Sequence, residues 1–180
     1  GVTRIDAESE LRIRANAGTE SLETVEQLIY SPGYTGEIGI AIRIPTAPTG
    51  DQVVRWGYFG ENDGVRWGWD ATGVFIEDIR DGTANGKVRP ADWNAIPDGL
   101  SPDEAESRVI QTLQRGAITR QQLSLYNYGT VDHELFERDS SGALEPLEVH
   151  NFSPGDGSTL SRQNNPLRVE VENPAAEDFD

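Results

Sequence analysis

Two histidines, His133 and His150, are the side chains of this chain best suited to proton transfer near neutral pH. A serine–histidine–acid relay would need one of them beside an activated serine. No Gly-x-Ser-x-Gly turn is present to hold such a nucleophile. Metal chemistry finds little more. There is no cysteine and no His-x-x-x-His or Glu-x-x-His spacing. The run Glu61-Asn62-Asp63-Gly64 does supply oxygen ligands, so Glu61 and Asp63 are candidates for a calcium, magnesium or sodium ion, with a plain hairpin turn as the alternative. No other cofactor is expected. Glycoside hydrolysis needs two carboxyls about 5–10 Å apart across a cleft. With 31 acidic residues in the chain, such a distance is met by chance, and the Glu-x-Asp-x-Glu strand signature of laminarinase-like sandwiches is absent. No catalytic residue is assigned.

The remaining candidates are aromatic. Trp56, Tyr58, Trp67, Trp69 and Trp93 fall close together, and Trp67 and Trp69 share one face of an alternating segment. Exposed and rimmed by Asp and Asn, Trp67, Trp69 and Trp93 would form a platform for sugar rings. Buried, the same residues would be the packed middle of a sandwich or a subunit interface.

Strands must position these groups. Ile38, Ile40, Ile42 and Ile44 alternate with Glu37, Gly39, Ala41 and Arg43. The same period of two recurs in Val65–Trp69, in Leu123 and Leu125, in Val131–Leu135, in Leu147 and Val149, and in Leu167–Val171. Turn chemistry at 60–64, 70–73 and 139–142 separates the runs. The expected fold is all-β, an antiparallel β-sandwich of jelly-roll or concanavalin-like lectin type. One short helix interrupts it near residues 102–115, where Ser101-Pro102-Asp103-Glu104 is a capping box and Gly116 a stop. Residues 1–20 read as an N-terminal arm or edge strand, 21–173 as the sandwich and 174–180 as an acidic tail or linker.

Composition sets the solvent. The formal net charge is −16, and Lys87 is the single lysine among 15 basic residues. Self-repulsion at that charge opposes a compact state in dilute buffer, and concentrated salt screens it. The lysine deficit distinguishes this balance from ordinary acidity and points to a salt-loving source. Acidity also argues against nucleic-acid binding, and no apolar run reaches the ~20 residues of a membrane span. With no methionine, the chain is expected to be a processed or trimmed part of a longer product.

Several segments resemble a family of virion-associated proteins of tailed phages and other large DNA viruses. Arg55-Trp56-Gly57-Tyr58-Phe59 is similar to that family's R-W/F-G-Y/F-F-D strand, and Asp63–Phe75 to the hairpin that follows it. Asp92-Trp93-Asn94 matches its D-W-N turn. Leu123–Val131, Val149-His150-Asn151-Phe152 and Asn165–Asn173 follow in the family's order. The chain departs from the pattern between Asn94 and Gln122, where the capped helix replaces a glycine-rich loop. The resemblance implies a sandwich carried on a virion, with no catalytic or ligand-binding positions to transfer. The leading expectation is therefore a non-enzymatic structural protein on the external surface of a halophilic virus, as a head decoration, turret, tail or fibre component. Its partners would be other virion proteins and further copies of itself, a trimer included. A glycan-binding host-attachment module is the alternative, and a glycoside hydrolase-like enzyme the second alternative.

Overall fold

The computed structural model describes residues 1–5, 10–29, 36–124, 130–152 and 164–174. Along them run β1 (Val2–Ile5), β2 (Glu10–Ile13), β3 (Gly18–Glu23), β4 (Leu28–Ile29), β5 (Gly36–Ile42), β6 (Val53–Phe59), β7 (Asp63–Asp70), β8 (Gly73–Arg80) and β9 (Thr83–Ala84). Then come α1 (Pro102–Arg115), β10 (Ala117–Ser124), β11 (Thr130–Arg138), β12 (Leu144–Phe152), β13 (Asn164–Asn165) and β14 (Leu167–Asn173). Six strands form one antiparallel sheet in the order β3-β14-β6-β7-β8-β9, and four form a second in the order β12-β11-β10-β5. Two small pairs, β1-β2 and β4-β13, accompany them. This is the expected all-β sandwich with its one helix.

Each main sheet is a meander completed by a strand from elsewhere. β6-β7-β8-β9 gains β14 with β3 at its edge, and β10-β11-β12 gains β5. The strand before the first meander thus joins the second sheet, and β14, which follows the second meander and the short β13, joins the first. The sheets meet through Val54, Trp56, Trp67, Trp69, Val74 and Ile76 on one side and Leu135, Leu147, Val149 and Phe152 on the other. Two hydrogen bonds cross the interior. Trp56 Nε1 donates to Thr119 Oγ1 at 3.0 Å, and Tyr58 N donates to Gln121 Oε1 at 2.9 Å. Gly57 makes the second bond possible. Its φ is +147°, and a Cβ there would lie 2.7 Å from Gln121 Oε1.

The helix forms as its caps dictate. Ser101 Oγ accepts from Glu104 N, and the Glu104 carboxylate accepts from Ser101 N at 2.9 Å. Ala105, Val109 and Leu113 then share a stripe buried in the same core.

The outer face of the six-stranded sheet is occupied as well. Phe59, Phe75, Glu77 and Ile79 point away from the second sheet yet are buried. Arg55 pairs with Glu170 at 3.1 Å and Glu172 at 2.7 Å, Arg66 with Glu77 at 2.5 Å, and Arg168 with Glu170 at 3.0 Å. The Arg66 and Arg168 guanidiniums lie 5.2 and 5.6 Å from the Phe59 ring centre. Phe75 covers Gly68, where a Cβ would come within 2.1 Å of the ring. The single lysine is part of this layer. Lys87 Nζ sits 4.5 Å from the Phe75 ring centre and 2.6 Å from Asp70 Oδ2, which Arg89 also holds at 2.7 Å. Burial alone would raise the Asp70 carboxyl. The hydrogen bonds from Arg89, Lys87 and Thr72 N outweigh it and hold the group well below the usual carboxylate range.

The N-terminal segment is divided. β1 and β2 pair antiparallel, while β3 starts at Gly18 and pairs along β14 at the edge of the sheet, so the sheet begins within the stretch read as an arm or edge strand. Of the acidic tail, residues 175–180 lie outside the described residues, as does the alternating stretch 125–129.

Candidate functional site

The histidines face each other. His133 on β11 is the cross-strand partner of His150 on β12, and both are buried. Around His133 lie Trp67, edge-on with ring centres 5.7 Å apart, and Phe152 at 5.5 Å. Gln121 Nε2 lies 3.1 Å from His133 Nε2. The amide's orientation is fixed because its oxygen accepts from Tyr58 N. Its nitrogen therefore donates, His133 Nε2 accepts, and the imidazole proton is assigned to Nδ1. Burial above all, with the neighbouring His150 adding to it, lowers the His133 pKa to about 3. A neutral histidine held by an amide and two aromatic rings fills the core.

The tryptophans are also interior. Trp56 and Trp67 stack with centres 6.2 Å apart and planes 4° from parallel, and Trp93 meets Trp67 edge-on at 6.3 Å. Trp67, Trp69 and Trp93 are 0, 2 and 7 % exposed. The structure brings all three together, and it does so in the core. A sugar platform needs accessible ring faces, so these residues do not supply one. Strand alternation correctly put Trp67 and Trp69 on one face, but that face is the inner one.

Glu61 and Asp63 diverge. Glu61 is exposed on the β6–β7 turn, whereas Asp63 is buried at the start of β7. Burial raises the Tyr58 phenol, the hydrogen bond from Asn165 N opposes this, and the Asp63 charge adds to the rise. Among the described residues no three acidic or histidine side chains converge as a metal cage. The turn supplies one outward and one inward carboxylate.

What sequence reasoning missed lies beside that turn. An open cleft of about 540 Å³ is lined by Ser21, Gln27, Glu61, Asn62, Asn164 and Asn165, with Glu23 and Arg168 completing its charged groups. It shares Gly60, Glu61 and Arg168 with a smaller hollow of about 270 Å³ beside Phe59 and Arg66. Elsewhere an apolar groove of about 570 Å³ runs between β2, β5 and β14, lined by Leu11, Ile13, Ile40, Ile42, Val169 and Val171.

Comparison with known protein families finds no match to this chain, and no curated protein matches it. Among the described residues no helix is long and apolar enough to cross a membrane.

Proposed function

We propose that this chain is a non-enzymatic structural module of a virus particle, displayed on its outer surface and built for concentrated salt. The carrying observation is how the few cations are used. Lys87 is held by Asp70 and Phe75, and Arg55, Arg66, Arg120 and Arg168 each pair with carboxylates. The formal surplus of 16 negative charges remains for solvent cations to screen. The sandwich itself suits a scaffold, since its sheets and their rigid aromatic interior hold the turns in place. Placement on a virion draws its support from the ordered segments between Arg55 and Asn173 that resemble virion-associated proteins.

Salt dependence is the physical test. The screening length falls from about 10 Å at 0.1 M to about 3 Å at 1 M salt. The Tm of the purified chain is expected to rise by roughly 10 °C or more between 0.1 and 3 M KCl, equivalent to a few kcal/mol. A Tm flat across that range would remove the adaptation to brine. Placement is tested separately with antibodies raised against the folded chain. They should decorate intact particles in high salt without detergent, and labelling confined to disrupted particles would overturn an exposed position.

A further inference from the structure

We infer that the cleft beside the β6–β7 turn binds a neutral saccharide. Three stretches distant in sequence meet there: Ser21–Gln27 along and after β3, Gly60–Asn62 in the turn, and Asn164–Arg168 through β13 into β14. Its 540 Å³, extended by the adjoining 270 Å³, falls in the range of about 300–1,000 Å³ typical of small-ligand sites.

The chemistry of the lining decides the ligand class. Gln27, Asn62, Asn164 and Asn165 each offer an amide oxygen that accepts and an amide nitrogen that donates, Ser21 adds a hydroxyl, and Glu61 adds a carboxylate. None of these side chains bonds another described residue, so the set is uncommitted within the fold. A hydroxyl also donates and accepts, and a vicinal diol can reach both oxygens of one carboxylate. A phosphate, sulfate or uronate would meet Glu23 and Glu61 on a chain already at −16. An apolar ligand finds little hydrocarbon, since the Phe59 ring is covered by Arg66 and Arg168.

An independent observation points to a missing partner. Asn165 lines the cleft yet is 3 % exposed, and its Nδ2 makes no hydrogen bond. Leaving a buried donor unmet costs about 1–3 kcal/mol. The residue is held in place by pairing with Leu28 and by its backbone N–H, which donates to Tyr58 Oη at 3.1 Å. Arg168 repeats the pattern, with Nε unmet while its terminal nitrogens engage Glu170 and Glu23. Both nitrogens are closed to solvent, so a turn of the Asn165 amide toward the cleft it lines would bring its unmet donor to a hydroxyl of a bound sugar.

The inference does not depend on where the chain resides, and its test is separate. The purified chain in 2–3 M KCl is applied to an array of neutral hexose and N-acetylhexosamine oligosaccharides alongside sialylated, sulfated and uronate-bearing counterparts. Binding to one or more neutral oligosaccharides is expected. Asn164→Ala and Glu61→Ala, both at exposed positions, should each weaken that binding more than tenfold at unchanged Tm. Three results would overturn it: no neutral oligosaccharide bound, binding confined to the anionic set, or binding that survives both substitutions.

Discussion

Trp67→Ala is expected to lower stability by about 3–5 kcal/mol, the range for removing a large buried aromatic ring. Trp67 is fully buried, stacks on Trp56 and meets Trp93 and His133 edge-on, so its ring joins both sheets. The cavity left behind would open where the two sheets depend on each other. Trp67→Phe should be far milder, because Trp67 Nε1 has no hydrogen-bond partner and a hydrocarbon ring gives none up. Trp56→Phe, at the stacked neighbour, loses the bond to Thr119 and should cost about 1 kcal/mol more than the packing change alone. Urea denaturation at constant KCl reads all three, since guanidinium would itself alter the screening. A Trp67→Ala loss below 1 kcal/mol would mean that the stack is not the keystone described.

Acidification is expected to act through His133. Its folded pKa of about 3 lies below the 6.5 of an unfolded histidine. Below pH 6.5 the unfolded state therefore binds the proton more readily. Stability present above pH 6.5 is lost as the pH falls through the folded value, at about 1.4 kcal/mol per unit and roughly 4–5 kcal/mol in all. Protonation also places a hydrogen where His133 Nε2 accepts from Gln121, turning an acceptor into a second donor. Asp70 adds to the acid loss at lower pH, since its depressed carboxyl contributes above the ordinary value near 3.8 and is lost below it. Neutralising surplus carboxylates relieves repulsion and works the other way, so the measurement is a difference. The stability gap between the parent chain and His133→Gln, which cannot titrate, should shrink or reverse between pH 7 and pH 4. A constant gap would show that His133 carries no proton linkage.

Strand existence was legible, because period-two alternation records that a segment has a buried face. Val65–Trp69, Val131–Leu135, Leu167–Val171 and the capped helix at 102–115 fall where their residues place them. Alternation does not say which strand lies alongside. Nothing in Ile38–Ile44 names β10 as the partner of β5, and nothing in Leu167–Val171 names β6. The tryptophans show a related limit. Burial and display need the same residue types at the same spacing, and a ring face becomes interior only when the second sheet covers it. The rule of one apolar face fails on β8, where Phe75 and Glu77 are buried on the outer side by Gly68, Arg66 and the residues around Lys87. The polar cleft left no local signature at all. Its residues come from stretches near 21, 61 and 165, each resembling ordinary surface until the fold assembles them.

The exchange of end strands between the two sheets also dictates when this molecule can become itself. Ile40 waits for Thr119, 79 positions later, and Arg55 for Glu172, 117 positions later. A chain emerging from a ribosome can form the β6-β7-β8 meander early, but that meander keeps an unpaired border until β14 arrives. Contacts this distant in sequence make closure slow relative to local hairpin formation. During that interval the raw edges of neighbouring nascent chains could accept one another's strands. Closure of the first sheet therefore waits until β14 has been made, and crowding of unfinished copies is the stage at which this fold is most exposed to error.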